Sequence, residues 1–193
     1  TGEPLAQEVV RAMMIIRLNS FAHGVSAMSL ETVEMIESLL NNDVIPLVLK
    51  EGSVGASGDL VPLAMIAGVM IGLSESKAWY NATLLTAPEA LKLAGLAPVK
   101  LGFKEAMGLT NGTSFMSANS IFASIQARNL LKTANLAAAF SVEAIRGEKD
   151  AFNSFLAEKR PHPGLVATAS EIRDHLKDSL RTTVEAQKIR FKG

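Results

Sequence analysis

TSFMSANSIFASIQARNLLKTANLAAAFSVEAIR (Thr113–Arg146) is the stretch whose reading decides the fold. It contains neither glycine nor proline, the two residues that most readily interrupt a helix, and it is rich in alanine and leucine, which favour one. The composition predicts one very long, mostly buried helix ended by Gly147. An element of that length sets the class: a mainly α protein, a long-helix bundle core of nearly parallel helices with short irregular or two-stranded β segments.

Outward from that stretch, the chain repeats the same pattern. Towards the amino end, apolar residues recur at near-helical spacing from Leu5 through Val9, Met13, Ile16 and Phe21, predicting a helix that ends near Gly24. A second helix follows Ser29, with Leu30, Val33, Ile36, Leu39 and Leu40 on one face and Glu31, Glu34 and Glu37 largely on the other, stopped by Asn41-Asn42-Asp43. Proline, glycine and serine make 44–58 a loop, after which Asp59 is placed to cap an apolar helix through about Leu73 with Pro62 in its first turn. Trp79–Leu85 and Val99–Leu101 are expected as short strands flanking a helix at Pro88–Leu96. Beyond the turn Arg160–Gly164 a last helix is expected over Ala167–Leu180, then a polar, frayed tail from Glu185 to Gly193. Residues 1–193 are taken as one segment, without internal repeats.

Composition narrows the function classes. Nineteen Lys and Arg balance nineteen Asp and Glu, so no field of one sign favours phosphate backbones or anionic lipid, and nucleic acid is not an expected partner. The chain has no cysteine, which removes disulfides, thiolate nucleophiles and zinc–thiolate sites and fits a cytoplasmic location. Apolar residues make up 48%, but the longest run, about Leu60–Leu73, is shorter than a membrane span. His23, His162 and His175 lack metal-ligand spacing, so capping or surface roles are expected and no metal. The eight methionines fall mainly on apolar faces and are read as core packing.

The chemistry concentrates in Gly52-Ser53-Val54-Gly55-Ala56-Ser57-Gly58-Asp59-Leu60-Val61-Pro62-Leu63. Taken without context, such a run before a helix is turn chemistry or an anion site made by exposed amides. A phosphate loop does not fit, because no Lys followed by Ser or Thr closes the glycines. The twelve positions together resemble the signature of the histidine, phenylalanine and tyrosine ammonia-lyases. That resemblance implies that Ala56-Ser57-Gly58 closes on itself and loses two waters, giving a 4-methylidene-imidazol-5-one, with no external cofactor. The residue types suit the reaction: the amide nitrogen of Gly58 would attack the carbonyl of Ala56, a close approach that a side chain would obstruct, and Ser57 supplies the hydroxyl that is eliminated. Asp59 would assist as proton acceptor while also capping the helix, whose positive end favours negative charge developing on the ring.

A second stretch, Lys104-Glu105-Ala106-Met107-Gly108-Leu109-Thr110-Asn111-Gly112-Thr113, resembles the family's Lys-Glu-Gly-Leu-Ala-Leu-x-Asn-Gly-Thr. Asn111 would then contact the ring and the substrate amine; read alone, Asn-Gly-Thr is a turn before a helix cap, and also a glycosylation sequon. Arg17-Leu18-Asn19 with Gly24 and Ser26, and Arg160-Pro161-His162-Pro163-Gly164, extend the likeness over nearly the whole chain. Ala27, Ser29, Ala106 and Leu165 depart from it.

The resemblance implies a carbon–nitrogen lyase that removes ammonia from an aromatic L-amino acid, the small-molecule partner, in a homotetramer whose sites draw on several subunits. It also implies that the chain is the central part of a longer enzyme. A tyrosine-bearing base loop should lie upstream, for which Tyr80 lacks the context, and a carboxylate-binding Tyr-x-x-Arg downstream, which Arg190-Phe191-Lys192-Gly193 does not replace. Two other readings stand beside it: an aromatic aminomutase, and a non-catalytic helical oligomerisation scaffold that never forms the ring.

Overall fold

A computed structural model describes residues 2–183 and 188. The tail expected from Glu185 and the terminal 190–193 stretch therefore fall, but for position 188, outside the described residues. Eight α-helices stand among the described residues, with one 3-10 turn and a three-stranded sheet. The mainly α expectation holds. The chain expected as one segment divides into two compact units, Thr1–Ala123 and Ser124–Gly193.

In the first unit, α1 (Gln7–Ala22) and α2 (Leu30–Asn41) pack together. Met13 and Met14 from α1 and Ile36 and Leu39 from α2 are fully buried, the apolar stripes closing on one another. Ser29 begins α2 as expected, its hydroxyl accepting the Thr32 N–H. Asn42 and Asp43 end it, Asp43 at φ +55. The 44–58 loop contains β1 (Ile45–Pro46), which the apolar pattern does not reveal because two residues carry no period. β1 pairs antiparallel with β2 (Lys77–Tyr80), Ile45 opposite Trp79, and β2 pairs with β3 (Thr83–Thr86). The expected strand 79–85 is thus a hairpin, turned by Asn81 and Ala82 with φ of +47 and +60, the left-handed pair of a tight primed turn. Val99–Leu101 is not a strand: the Val99 N–H donates to the Met70 carbonyl at 3.0 Å, and the run packs as extended loop on the core. Thr86 opens α4 (Ala87–Leu93), its N–H donating to Glu89 Oε2 at 3.1 Å, with Pro88 in the first turn.

α3 (Leu60–Met70) is the apolar helix expected after Asp59, with Pro62 in its first turn, and it packs on α5 (Glu105–Thr110). α6 (Ser114–Ala144) is the long helix, but it is not mostly buried: Leu130 is 71% and Phe140 66% exposed. Its 31 residues extend about 46 Å at 1.5 Å per residue, more than the few elements beside it cover. Its end also differs. Arg146, not glycine, adopts the left-handed φ of +52, and the N–H of Gly147 reaches back to the Val142 carbonyl at 2.7 Å.

The second unit holds the remainder of α6, a 3-10 turn at Lys149–Phe152, α7 (Ser154–Glu158) and α8 (Pro163–His175). α8 starts and ends earlier than the expected Ala167–Leu180, because Pro163 suits a first turn. Its core is small: Ala139 of α6 with Ile172 and Leu176. Of the methionines, Met13, Met14, Met35 and Met70 are core as expected, whereas Met107 and Met116 are exposed.

Candidate active site

The glycine-rich loop leads into α3 beside the start of α6, and two backbone contacts join them. Gly58 stands at φ +104, and a Cβ there would lie 2.7 Å from both the N and the O of Gly112. Conformation and contact independently demand glycine at this position. The next N–H, of Asp59, donates to the Gly112 carbonyl at 2.7 Å. The end of the Ala56-Ser57-Gly58 triplet is thereby seated on the Asn111-Gly112 turn. Ala56 and Ser57 are exposed and Gly58 half-buried. Around them Val54, Leu60 and Val61 form a shallow, largely apolar cleft. The second unit has a cleft of its own, lined by Leu136, Glu143 and His175 among others.

Asp59 is 1% exposed. It occupies the position before α3, but its side chain does not cap that helix. One carboxylate oxygen accepts the Ser53 hydroxyl at 2.7 Å and the other accepts the Met116 N–H at 3.0 Å. Met116 lies in the first turn of α6, whose N–H groups lack intrahelical partners. The expected cap is therefore real but belongs to another helix: Asp59 satisfies the amino end of α6, where the dipole favours negative charge. The amino ends of α3 and α6 thus converge on this carboxylate.

The helix that leads into the Asn111-Gly112 turn, α5, is held at both of its ends. Glu105, at the start of α5, is buried; its oxygens accept the N–H of Ser29 at 2.7 Å and that of Gly102. The Ser29 hydroxyl first, then the backbone N–H groups of Ser29 and Gly102, hold the Glu105 carboxyl down to about 2. Its folded pKa lies below its ordinary value of 4.5, so its contribution to stability is present above about pH 4.5 and is lost as pH falls towards 2. Glu105→Gln places an amide NH2 against one of these N–H donors. The variant is expected to lose about 2–3 kcal/mol at neutral pH and to show a flatter stability profile than the parent between pH 4.5 and 2, read by urea unfolding across pH. Parallel profiles would remove Glu105 as the cause.

From α1, Arg17 reaches the same turn. Its Nη2 donates to the carbonyls of Gly108 and Asn111, the latter at 2.7 Å, and its guanidinium carbon lies 4.8 Å from the centre of the Phe21 ring. Burial lowers its pKa. The motif Arg17-Leu18-Asn19 by itself gives Arg17 no role. The available signal was its position four residues from Met13 and from Phe21, on the buried stripe of α1, where a charge requires a reason.

Asn111 ends α5, and its side-chain amide donates to Met107 Sδ at 3.7 Å. It approaches the triplet through its neighbour Gly112. Tyr80 lies on β2 opposite Thr83, in the hairpin. His162 stands at the residue before α8 without capping it, and His23 follows α1.

The chain has relatives among known proteins. The sequence pattern of the family described as aromatic amino acid lyase matches residues 1–190. Histidine ammonia-lyase of Natranaerobius thermophilus is 45% identical over 178 residues, covering 92% of this chain and 35% of that enzyme. Among solved structures, phenylalanine ammonia-lyase from Rhodosporidium toruloides superposes with a TM-score of 0.83 at 37% identity, over 90% of this chain and 27% of that one. Phenylalanine aminomutase of Pantoea agglomerans gives 0.90 at 30% identity, over 100% of this chain and 36% of its own. The chain thus spans about a third of the length of the relatives it matches. With the match running from residue 1 to residue 190, the chain belongs to the aromatic amino acid lyase family.

Proposed function

We propose that this chain is the central, prosthetic-group-bearing part of a longer ammonia-lyase acting on an aromatic L-amino acid, and that Ala56-Ser57-Gly58 is the source of a 4-methylidene-imidazol-5-one. The observation that carries the reading is the seat of Gly58: φ +104, the backbone of Gly112 where a side chain would stand, and a buried, fully engaged carboxylate as the next residue. These residues fit the group. A bond forms between Gly58 N and the Ala56 carbonyl carbon, and that carbonyl oxygen leaves as water. The Ser57 Cα proton and its hydroxyl leave as the second water, making the exocyclic double bond. Asp59 accepts and relays protons, and the helix ends of α3 and α6 favour negative charge at this point. The group supplies an electrophilic carbon that no ordinary side chain offers.

The overall reaction removes ammonia from Cα and a proton from Cβ, leaving an α,β-unsaturated acid with no change of oxidant or reductant. Asn111 is assigned to the substrate amine and the ring. The base and the carboxylate-binding arginine are assigned to parts of the longer protein outside these residues, and the site to a homotetramer needing no external cofactor. A cytoplasmic enzyme fits a chain in which, among the described residues, no helix is long and apolar enough to cross a membrane. Histidine is the first substrate to try, because the Natranaerobius relative is named for it. The likeness to an aminomutase over the whole chain supports a second reading, in which ammonia returns to the β-carbon. Incubating the full-length protein with isotopically labelled L-histidine, L-phenylalanine or L-tyrosine decides: an unsaturated acid with free ammonium is expected, a β-amino acid would establish the mutase, and inertness towards all three would leave the scaffold.

A further inference from the structure

We infer that Arg17 is a positioning residue for ring formation: from α1 it fixes the end of α5 so that the backbone of Gly112 is seated against Gly58. This rests on the ring-forming reading above and adds to it a residue that touches neither the triplet nor Asp59.

α5 ends at Thr110, and its last N–H···O bond runs from Asn111 to the Met107 carbonyl. The carbonyls after Met107 have no helical partner, as at every helix end. Arg17 supplies partners to two of them, Gly108 and Asn111, with one nitrogen. This sets where the chain leaves the helix. Asn111 turns to φ −93 and ψ 111, and Gly112 arrives with its N and O both 2.7 Å from where a Gly58 Cβ would be, its oxygen taking the Asp59 N–H. The guanidinium also fills the space above Gly112, where a Cβ would strike Nη1. Gly112 is thus held between the cation on one side and Gly58 on the other, and the glycine at each position permits that distance.

A stability role alone accounts poorly for this choice. The guanidinium has carbonyl oxygens and the Phe21 ring face but no carboxylate among its described contacts, and its Nε is buried without a hydrogen-bond partner. Burying a cation is costly, and an apolar side chain of similar volume commonly serves packing as well or better. What an apolar residue lacks is an N–H donor group that reaches two carbonyls at once.

The test uses the full-length protein and follows intact mass and near-ultraviolet absorbance of the ring after synthesis, beside circular dichroism and thermal unfolding. Wild type is expected to lose two waters. Arg17→Met, folded, is expected to cyclise about 10²-fold more slowly, the scale on which a misplacement of about 1 Å acts, with Arg17→Lys in between. A folded Arg17→Met that cyclises as fast and as completely as wild type overturns the assignment and leaves the ring reading standing. A wild-type protein without the mass deficit overturns both. Should Arg17→Met not fold, Arg17→Lys decides: slowed cyclisation in the folded variant supports the role and wild-type cyclisation overturns it.

Discussion

Ser57→Ala is expected to leave the full-length protein folded and to abolish the proposed lyase activity. Ser57 is exposed on the loop before α3 and enters no core contact, so its hydroxyl contributes little to folding and the change in stability is expected within about 0.5 kcal/mol. Activity should fall by about 10³-fold or more, because the variant has no hydroxyl to eliminate and therefore no electrophilic carbon. Urea unfolding and the rate of ammonium release measure the two quantities on one preparation. A large loss of stability would mean that Ser57 packs instead of reacting. Retained turnover would mean that deamination proceeds by other chemistry.

Asp59 is expected to behave in the opposite way, because the carboxylate proposed to take up protons is also buried and hydrogen-bonded within the fold. Asp59→Ala strands the Met116 N–H and the Ser53 hydroxyl, at the amino end of a 31-residue helix. The expected cost is about 2–4 kcal/mol, the scale of lost bonds to a charged acceptor inside the fold. Asp59→Asn keeps one oxygen to accept and is expected to lose about half of that, yet to form the ring as poorly as the alanine variant, since an amide takes up no proton at neutral pH. Chemical denaturation separates the variants in stability, and the mass of the folded material compares them as proton acceptors. If Asp59→Asn cyclises normally, the carboxylate serves only as the cap of α6.

How much of this was legible in the sequence depends on how local each cause is. The long helix was legible because the absence of glycine and proline over thirty-four residues, Thr113 to Arg146, is a local fact. Its exposure was not, since burial depends on what lies beside a helix, and alanine and leucine pattern alike for a core and for an uncovered face. The cap of α2 by Ser29 was readable from its neighbours. From its neighbours Asp59 reads as the cap of the adjacent helix, but its partner Met116 is 57 residues away, a pairing no window of sequence contains. The apolar content of Val99–Leu101 suits a strand, yet a strand needs a partner edge, and Val99 meets the end of α3 instead.

The pattern of twelve positions marks the triplet, and the reaction it implies asks for glycine at 58; the fold supplies a separate cause for that glycine, the backbone of Gly112. Arg17 and Glu105 show what such patterns leave unspoken. Both are charged residues turned inward to backbone groups, Glu105 on N–H donors and Arg17 on carbonyls. They hold the two ends of α5 with opposite electrical signs, Glu105 its start and Arg17 its end. A buried charge with backbone partners has no sequence period; only its presence on an apolar stripe marks it, as for Arg17 between Met13 and Phe21.

The mass of the intact, full-length protein tests the central claim most directly. Fragmentation should place a deficit of two waters between Ala56 and Gly58 in wild type, and the deficit should vanish in Ser57→Ala. A protein that releases ammonia from an aromatic amino acid while those three residues retain their full, unmodified mass would contradict the account.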